Sequence, residues 1–124
     1  MAYLATLRHG GMPRVHPVTS IVGQGHLFLF MEPTSPKGHD LRRDGRYALH
    51  CAVSGPDGSS GEFYIMGNAE FVDDPARRSL ASQLVSYTPD DRYILFELSI
   101  ERAASTIYQD GRPVRQHWRR NQGQ

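Results

Sequence analysis

From Arg92 to Glu101 the chain alternates, with Ile94, Phe96, Leu98 and Ile100 on one side and Leu95, Glu97, Ser99 and Glu101 on the other. A period of two puts successive side chains on opposite faces of an extended backbone, so this run predicts a strand with one face in a core. Similar runs of alternating, β-branched or aromatic residues recur at Ala2 to Arg8, Arg14 to Val22, Tyr47 to Val53, Glu62 to Val72, Ala103 to Tyr108 and Pro113 to Trp118. His26–Met31 is apolar on both faces for most of its length, which predicts a central strand. Glycines in His9-Gly10-Gly11, Gly23-Gln24-Gly25 and Asp110-Gly111 mark turns between neighbouring runs, and Gly67 marks a bulge within one.

Two segments break the strand pattern. Thr34 to Asp44 reads as a short helix, with Ser35 as N-cap, Pro36 in the first position, Arg42 and Arg43 in the last turn and Gly45 beyond the end. Asp74 caps a second helix opened by Pro75, and Ala76, Leu80, Leu84 and Tyr87 form its apolar stripe. Six to eight strands and two short helices, without βαβα alternation, predict a mainly β fold, a small antiparallel β-barrel. At 124 residues the chain is sized for one domain, expected over residues 1–118 with a frayed tail at 119–124. Ser54–Gly61, polar and glycine-rich, reads as a mobile loop.

Composition excludes several functions. A formal net charge of +1 gives no broad field for nucleic acid, and the basic residues around Trp118 are too few to argue otherwise. No apolar run reaches membrane-spanning length, and Met1–Arg8 lacks the basic-then-apolar order of a signal peptide, so a cytoplasmic protein is expected. Cys51, the one cysteine, lies in a strand-like run and is expected to be buried and inert. The six histidines show no metal-ligand spacing, so no metal is expected.

Lys37 sits oddly. The first turn of a helix carries orphan N–H groups and a partial positive charge, so a lysine there is electrostatically misplaced unless an anion sits beside it. A phosphate satisfies both the lysine and the helix terminus; a plain solvated lysine is the alternative. Arg42 and Arg43 are explained by the helix C-terminus alone or by contact with the same anion. His16, alternating with Val15 and Pro17, faces either solvent or a ligand, where it is the one candidate proton donor.

Three segments in order, Ala5-Thr6-Leu7 to Val18, Ser35-Pro36-Lys37 to Leu49 and Glu62 to Glu70, resemble the split-barrel flavoproteins related to pyridoxamine 5′-phosphate oxidase. The resemblance covers most of the chain and implies an FMN-binding split β-barrel. It assigns Arg14, Val15, His16 and Pro17 to the flavin ring and ribityl region. Phe30 and Met31 fall at the strand end near the same cofactor and Ser35 and Lys37 at its phosphate, with Arg42 or Arg43 left to replace a further phosphate contact. Pro36 stands where the oxidase proper carries a basic residue. Family likeness also implies a homodimer with the cofactor between subunits.

Three functions follow from the resemblance. The first is an FMN-dependent oxidoreductase passing a hydride to or from a small molecule. The second is a reductase using the deazaflavin F420, which shares the ribityl phosphate. The third, from another class, is a non-catalytic module that stores or senses flavin or haem or serves as a dimeric structural domain.

Overall fold

The computed structural model describes residues 1–51 and 61–121. The expected loop at Ser54–Gly61 falls almost wholly outside the described residues, as do the last three residues of the tail. The element order is β1 (Ala2–Leu7), β2 (Pro13–Val18), β3 (Ile21–Gly23), β4 (His26–Met31), α1 (Pro36–Arg43), β5 (Arg46–Cys51), β6 (Glu62–Val72), α2 (Pro75–Gln83), β7 (Ile94–Gln109) and β8 (Arg112–Arg119). All eight strands belong to one antiparallel sheet in the order β2-β1-β5-β6-β7-β4-β3, with β8 also paired to β7.

The two ends of that order, β2 and β3, are consecutive in sequence and joined only by Thr19 and Ser20. The sheet must therefore curl until its ends adjoin, which makes it a barrel. One core cluster confirms the curl, since Val18 of β2, Leu4 of β1, Leu49 of β5, Ile65 of β6, Leu98 of β7 and Leu29 of β4 share it. Burying a side chain such as Leu29 or Leu98 contributes about 1.5–3 kcal/mol each. The expected single strand from Arg14 to Val22 is thus two strands, because the chain must pass from one end of the sheet to the other at Thr19-Ser20.

A second cluster lies outside the barrel, where α2 covers Ile21, Phe28, Val72 and Leu95 with Ala81 and the half-buried Leu80, Leu84 and Val85. Of the expected α2 stripe, Leu80 and Leu84 pack there, whereas Ala76 and Tyr87 are exposed, because the helix ends at Gln83 and turns its Ala81 face inward. The double-sided apolar character of β4 has the same origin. Leu27, Leu29 and Met31 face the barrel interior, and Phe28 faces α2. β4 is next to last in the strand order rather than central, so burial on two faces came from a helix and not from position in the sheet.

β7 is one strand of 16 residues, where the sequence predicts two runs. β6 occupies one of its edges from Leu95 to Thr106. On the other edge β4 pairs with Ile94–Glu97 and β8 with Arg102–Gln109, which leaves Leu98, Ser99 and Ile100 without a strand partner there. The sheet is split at this point. Gly67 is the expected bulge: the register of β6 on β7 shifts between Met66 and Gly67, and a Cβ on Gly67 would collide with the Ser99 carbonyl oxygen. Gln24 and Gly25, and Asp110 and Gly111, all have positive φ, the conformation of the tight turns that close twisted hairpins.

Two further expectations need correction. Cys51 is exposed, not buried, because it is the last residue of β5. The tail is ordered two residues beyond Trp118, since β8 runs to Arg119 and the Arg120 N–H donates to the Glu101 carbonyl at 2.8 Å.

Candidate functional site

Helix α1 begins as the sequence requires. Ser35 is extended (φ −67°, ψ 138°), its Oγ accepts the Gly38 N–H at 3.2 Å, and its carbonyl accepts the His39 N–H. Pro36 carries no N–H, so the Lys37 backbone N–H is the donor left over in this first turn. No acidic residue stands in the first turn, and the half-buried Lys37 forms no ion pair among the described residues. The backbone here rests directly on the core. A Cβ on Gly38 would meet Met31 Sδ at 3.2 Å and Ile94 Cδ1 at 3.1 Å, so this turn tolerates only glycine without displacement.

One turn on, Asp40 is buried to 2% exposure and gathers three elements. Thr6 Oγ1 of β1 donates to Asp40 Oδ2 at 2.7 Å, Arg14 Nε of β2 donates to the same oxygen at 2.8 Å, and Arg43 donates to Oδ1 at 3.1 Å and to the Leu7 carbonyl at 2.7 Å. Burial alone would raise the Asp40 pKa; the hydrogen bonds from Thr6, Arg14 and Arg43 outweigh it and hold the carboxyl below its usual range. The arrangement ties Arg14 to α1 one turn from Lys37 and leaves its two terminal guanidinium nitrogens with no protein partner among the described residues.

The structure brings Arg14, Ser35 and Lys37 to the α1 side of the barrel and separates the other expected site residues. Arg14 and the half-buried His16 share the β2 face that leads into the core at Val18, whereas Val15 and Pro17 point outward and are exposed. Met31 faces the core beneath Gly38, and Phe30 faces α2, where the Arg78 guanidinium lies 5.3 Å from its ring centre. Their side chains occupy opposite faces of β4. Arg42, in the last turn of α1, lies over the Phe71 ring at 4.0 Å, turned away from the helix N-terminus. Asp40 and Thr6 are the residues that sequence reasoning missed. The only signal was an acid three residues before Arg43 within a basic helix, which a solvated i, i+3 pair explains equally well.

A cavity of about 860 Å³ opens at the split in the sheet, and none of the nine expected cofactor residues lines it. Among the described residues no three histidine, cysteine or acidic side chains converge as a metal site would require, and no helix is long and apolar enough to cross a membrane.

Comparison with known proteins places this geometry. No curated protein matches the chain. Among solved structures, it superimposes on a pyridoxamine 5′-phosphate oxidase-related, FMN-binding protein from Nostoc punctiforme with a TM-score of 0.78 at 15% identity, covering 98% of this chain and 81% of that one. A protein from Clostridium acetobutylicum related to general stress protein 26, of the pyridoxinephosphate oxidase family, gives 0.69 at 14% identity over 96% and 84%. A haem-binding protein from Mycobacterium smegmatis gives 0.72 at 22% identity over 93% of this chain and 51% of that one. At these identities the likeness is one of fold. The family model for pyridoxamine 5′-phosphate oxidase matches residues 1–109, most of the sequence. The chain belongs to the pyridoxamine 5′-phosphate oxidase family.

Proposed function

We propose that the protein binds FMN with its phosphate at the N-terminus of α1, as a homodimer, and acts as a flavin-dependent oxidoreductase on a small molecule. The observation that carries this reading is Lys37, a half-buried cation in the first turn of a capped helix with no acid in that turn and no ion pair among the described residues.

The residues present fit a phosphate. The Lys37 N–H and ammonium supply two donors, and the Ser35 hydroxyl keeps its own proton to donate while Oγ accepts from Gly38. Arg14, aimed by Asp40, adds a fixed guanidinium on the neighbouring strand. Bound flavin would supply hydride acceptance and donation; the chain orients it and sets its electrostatic surroundings. The reading of a dimer is supported by an apolar outer face at the sheet edge, where Val15 is 62% exposed and Tyr3, paired in register with Pro17, is 47% exposed. Pro13 and Pro17 lack N–H donors, so this edge strand is suited to packing by its face rather than to accepting another strand.

Titration of the purified protein with FMN tests the binding. A saturable change in flavin fluorescence, weakened in Lys37→Met, supports it, whereas a colourless protein whose melting temperature is indifferent to FMN overturns it. Tighter binding of F420 than of FMN in competition would reassign the ring. Oxidation of NAD(P)H by the flavin-loaded protein separates an enzyme from a binding module, and sedimentation of the wild type against Val15→Glu reads the dimer.

A further inference from the structure

The split in the sheet forms a cleft with its own chemistry. Its floor is the unpartnered stretch Leu98–Ile100 of β7, one wall is the β3–β4 hairpin from Val22 to Leu27, and the other is the end of β8 at Trp118 and Arg120. Below the floor the cavity reaches Leu49, Ile65 and Phe63. Trp118 and Phe63 are 52% and 44% exposed, an unusual state for two large aromatic side chains lining one cavity.

The charged groups at its rim are already matched. Arg77 pairs with Glu70 at 2.8 Å and with Glu97 at 3.2 Å, and Glu97 also meets His26 Nδ1 at 2.6 Å. Glu70 and Glu97 against Arg77 and Arg120 leave no formal excess of either sign, so the cleft favours no ion. The open backbone stretch is also a poor seat for a peptide strand. It spans only three residues between the ends of β4 and β8, too few for the ladder of main-chain hydrogen bonds that strand addition needs. What remains is an apolar slot with aromatic walls and a polar, charge-balanced rim, within the size range of small-molecule sites.

We propose that the cleft between β4 and β8 is a second binding site, separate from the phosphate seat on α1, for a neutral, planar aromatic molecule of two or three fused rings. Such a molecule would stack against Trp118 and Phe63, bury its apolar faces on Leu98 and Ile65, and direct any carbonyl or hydroxyl toward the His26–Glu97–Arg77 rim. The proposal stands whether or not the α1 terminus takes a flavin.

The chain carries its own reporters there, because Trp118 is the only tryptophan, Cys51 is the only cysteine and both line the cleft. The probe is prodan, a neutral naphthalene ketone whose emission shifts to the blue in apolar surroundings and overlaps tryptophan emission in its absorption. The expected result is a saturable blue shift at one equivalent per chain, quenching of Trp118 along the same isotherm, slower alkylation of Cys51 by iodoacetamide, and no displacement by saturating FMN. Trp118→Ala should weaken binding about tenfold. Should that variant fail to fold, Phe63→Ala carries the same expectation. A blue shift that leaves Trp118 emission and Cys51 alkylation unchanged overturns the proposal, as does the absence of saturation. Stoichiometric displacement by FMN overturns it by making the cleft part of the flavin site. Binding only under conditions that dissociate a dimer overturns it by showing that a second copy covers the cleft.

Discussion

Arg14 of β2 and Asp40 of α1 meet at 2.8 Å, joining the first hairpin to the helix that carries Lys37. The Asp40 side chain is almost fully enclosed and the Arg14 side chain three-quarters so, and the remaining oxygen of Asp40 accepts from Arg43. The pair serves position more than net stability, since a buried ion pair recovers little beyond its desolvation cost, while removing one partner strands the other.

Asp40→Asn is therefore expected to destabilise the fold by about 3 kcal/mol, at the lower end of the cost of breaking a buried pair because Arg14 keeps some solvent contact. The same change should weaken FMN binding through loss of Arg14 orientation. Urea unfolding and flavin titration of the one variant check both.

The acid limb of stability carries the same signature. The folded pKa of Asp40 lies below the ordinary aspartate value of 3.8, so its contribution is present above that value and is lost as pH falls through the folded pKa. Asp44, held down to about 2 by hydrogen bonds from Arg46, acts in the same direction. The urea midpoint of the wild type should fall as pH drops below about 4, and less steeply for Asp40→Asn.

Lys37 and Ser35 should separate binding from stability. Lys37→Met is expected to change unfolding free energy by no more than about 0.5 kcal/mol, as for a surface substitution, while weakening FMN about tenfold or more. Ser35→Ala should cost about 1 kcal/mol of stability through the lost cap. Equal FMN affinity of Lys37→Met and wild type would remove the phosphate from α1.

Arg42→Ala provides the contrast. Its guanidinium rests on Phe71, so the expected cost is about 0.5–1 kcal/mol with FMN affinity unchanged. A large loss of flavin affinity would return Arg42 to the cofactor.

Gly67→Ala should destabilise by about 3 kcal/mol or prevent folding, because the added Cβ is driven into the Ser99 carbonyl, a backbone atom that cannot swing aside. Circular dichroism and urea unfolding read the outcome.

Much of this fold is local and hence legible. The alternation in Glu62–Val72 and the glycine turns at Gly25 and Gly111 specify strands and hairpins by themselves, and Ser35-Pro36 and Asp74-Pro75 announce both helices. What the sequence hides is set by distant groups. Thr19-Ser20 looks like more strand, and only closure of the barrel makes it a crossing. Asp40 looks like a solvated acid, and only the convergence of β1, β2 and α1 buries it. Phe30 and Met31 are a different case: period-two alternation already sends their side chains to opposite faces of β4, one to α2 and one to the barrel core.

The pairing of β4 with β7 also has a consequence for how the protein is made. Met31 meets Ile94, roughly sixty residues downstream, so at roughly 5–20 residues per second a ribosome exposes His26–Met31 for several seconds before its partner exists. Through that interval a hexapeptide built to be covered on both faces has neither α2 nor β7 to cover it, which makes it the natural place for a chaperone to hold the nascent chain and for aggregation to start when none does.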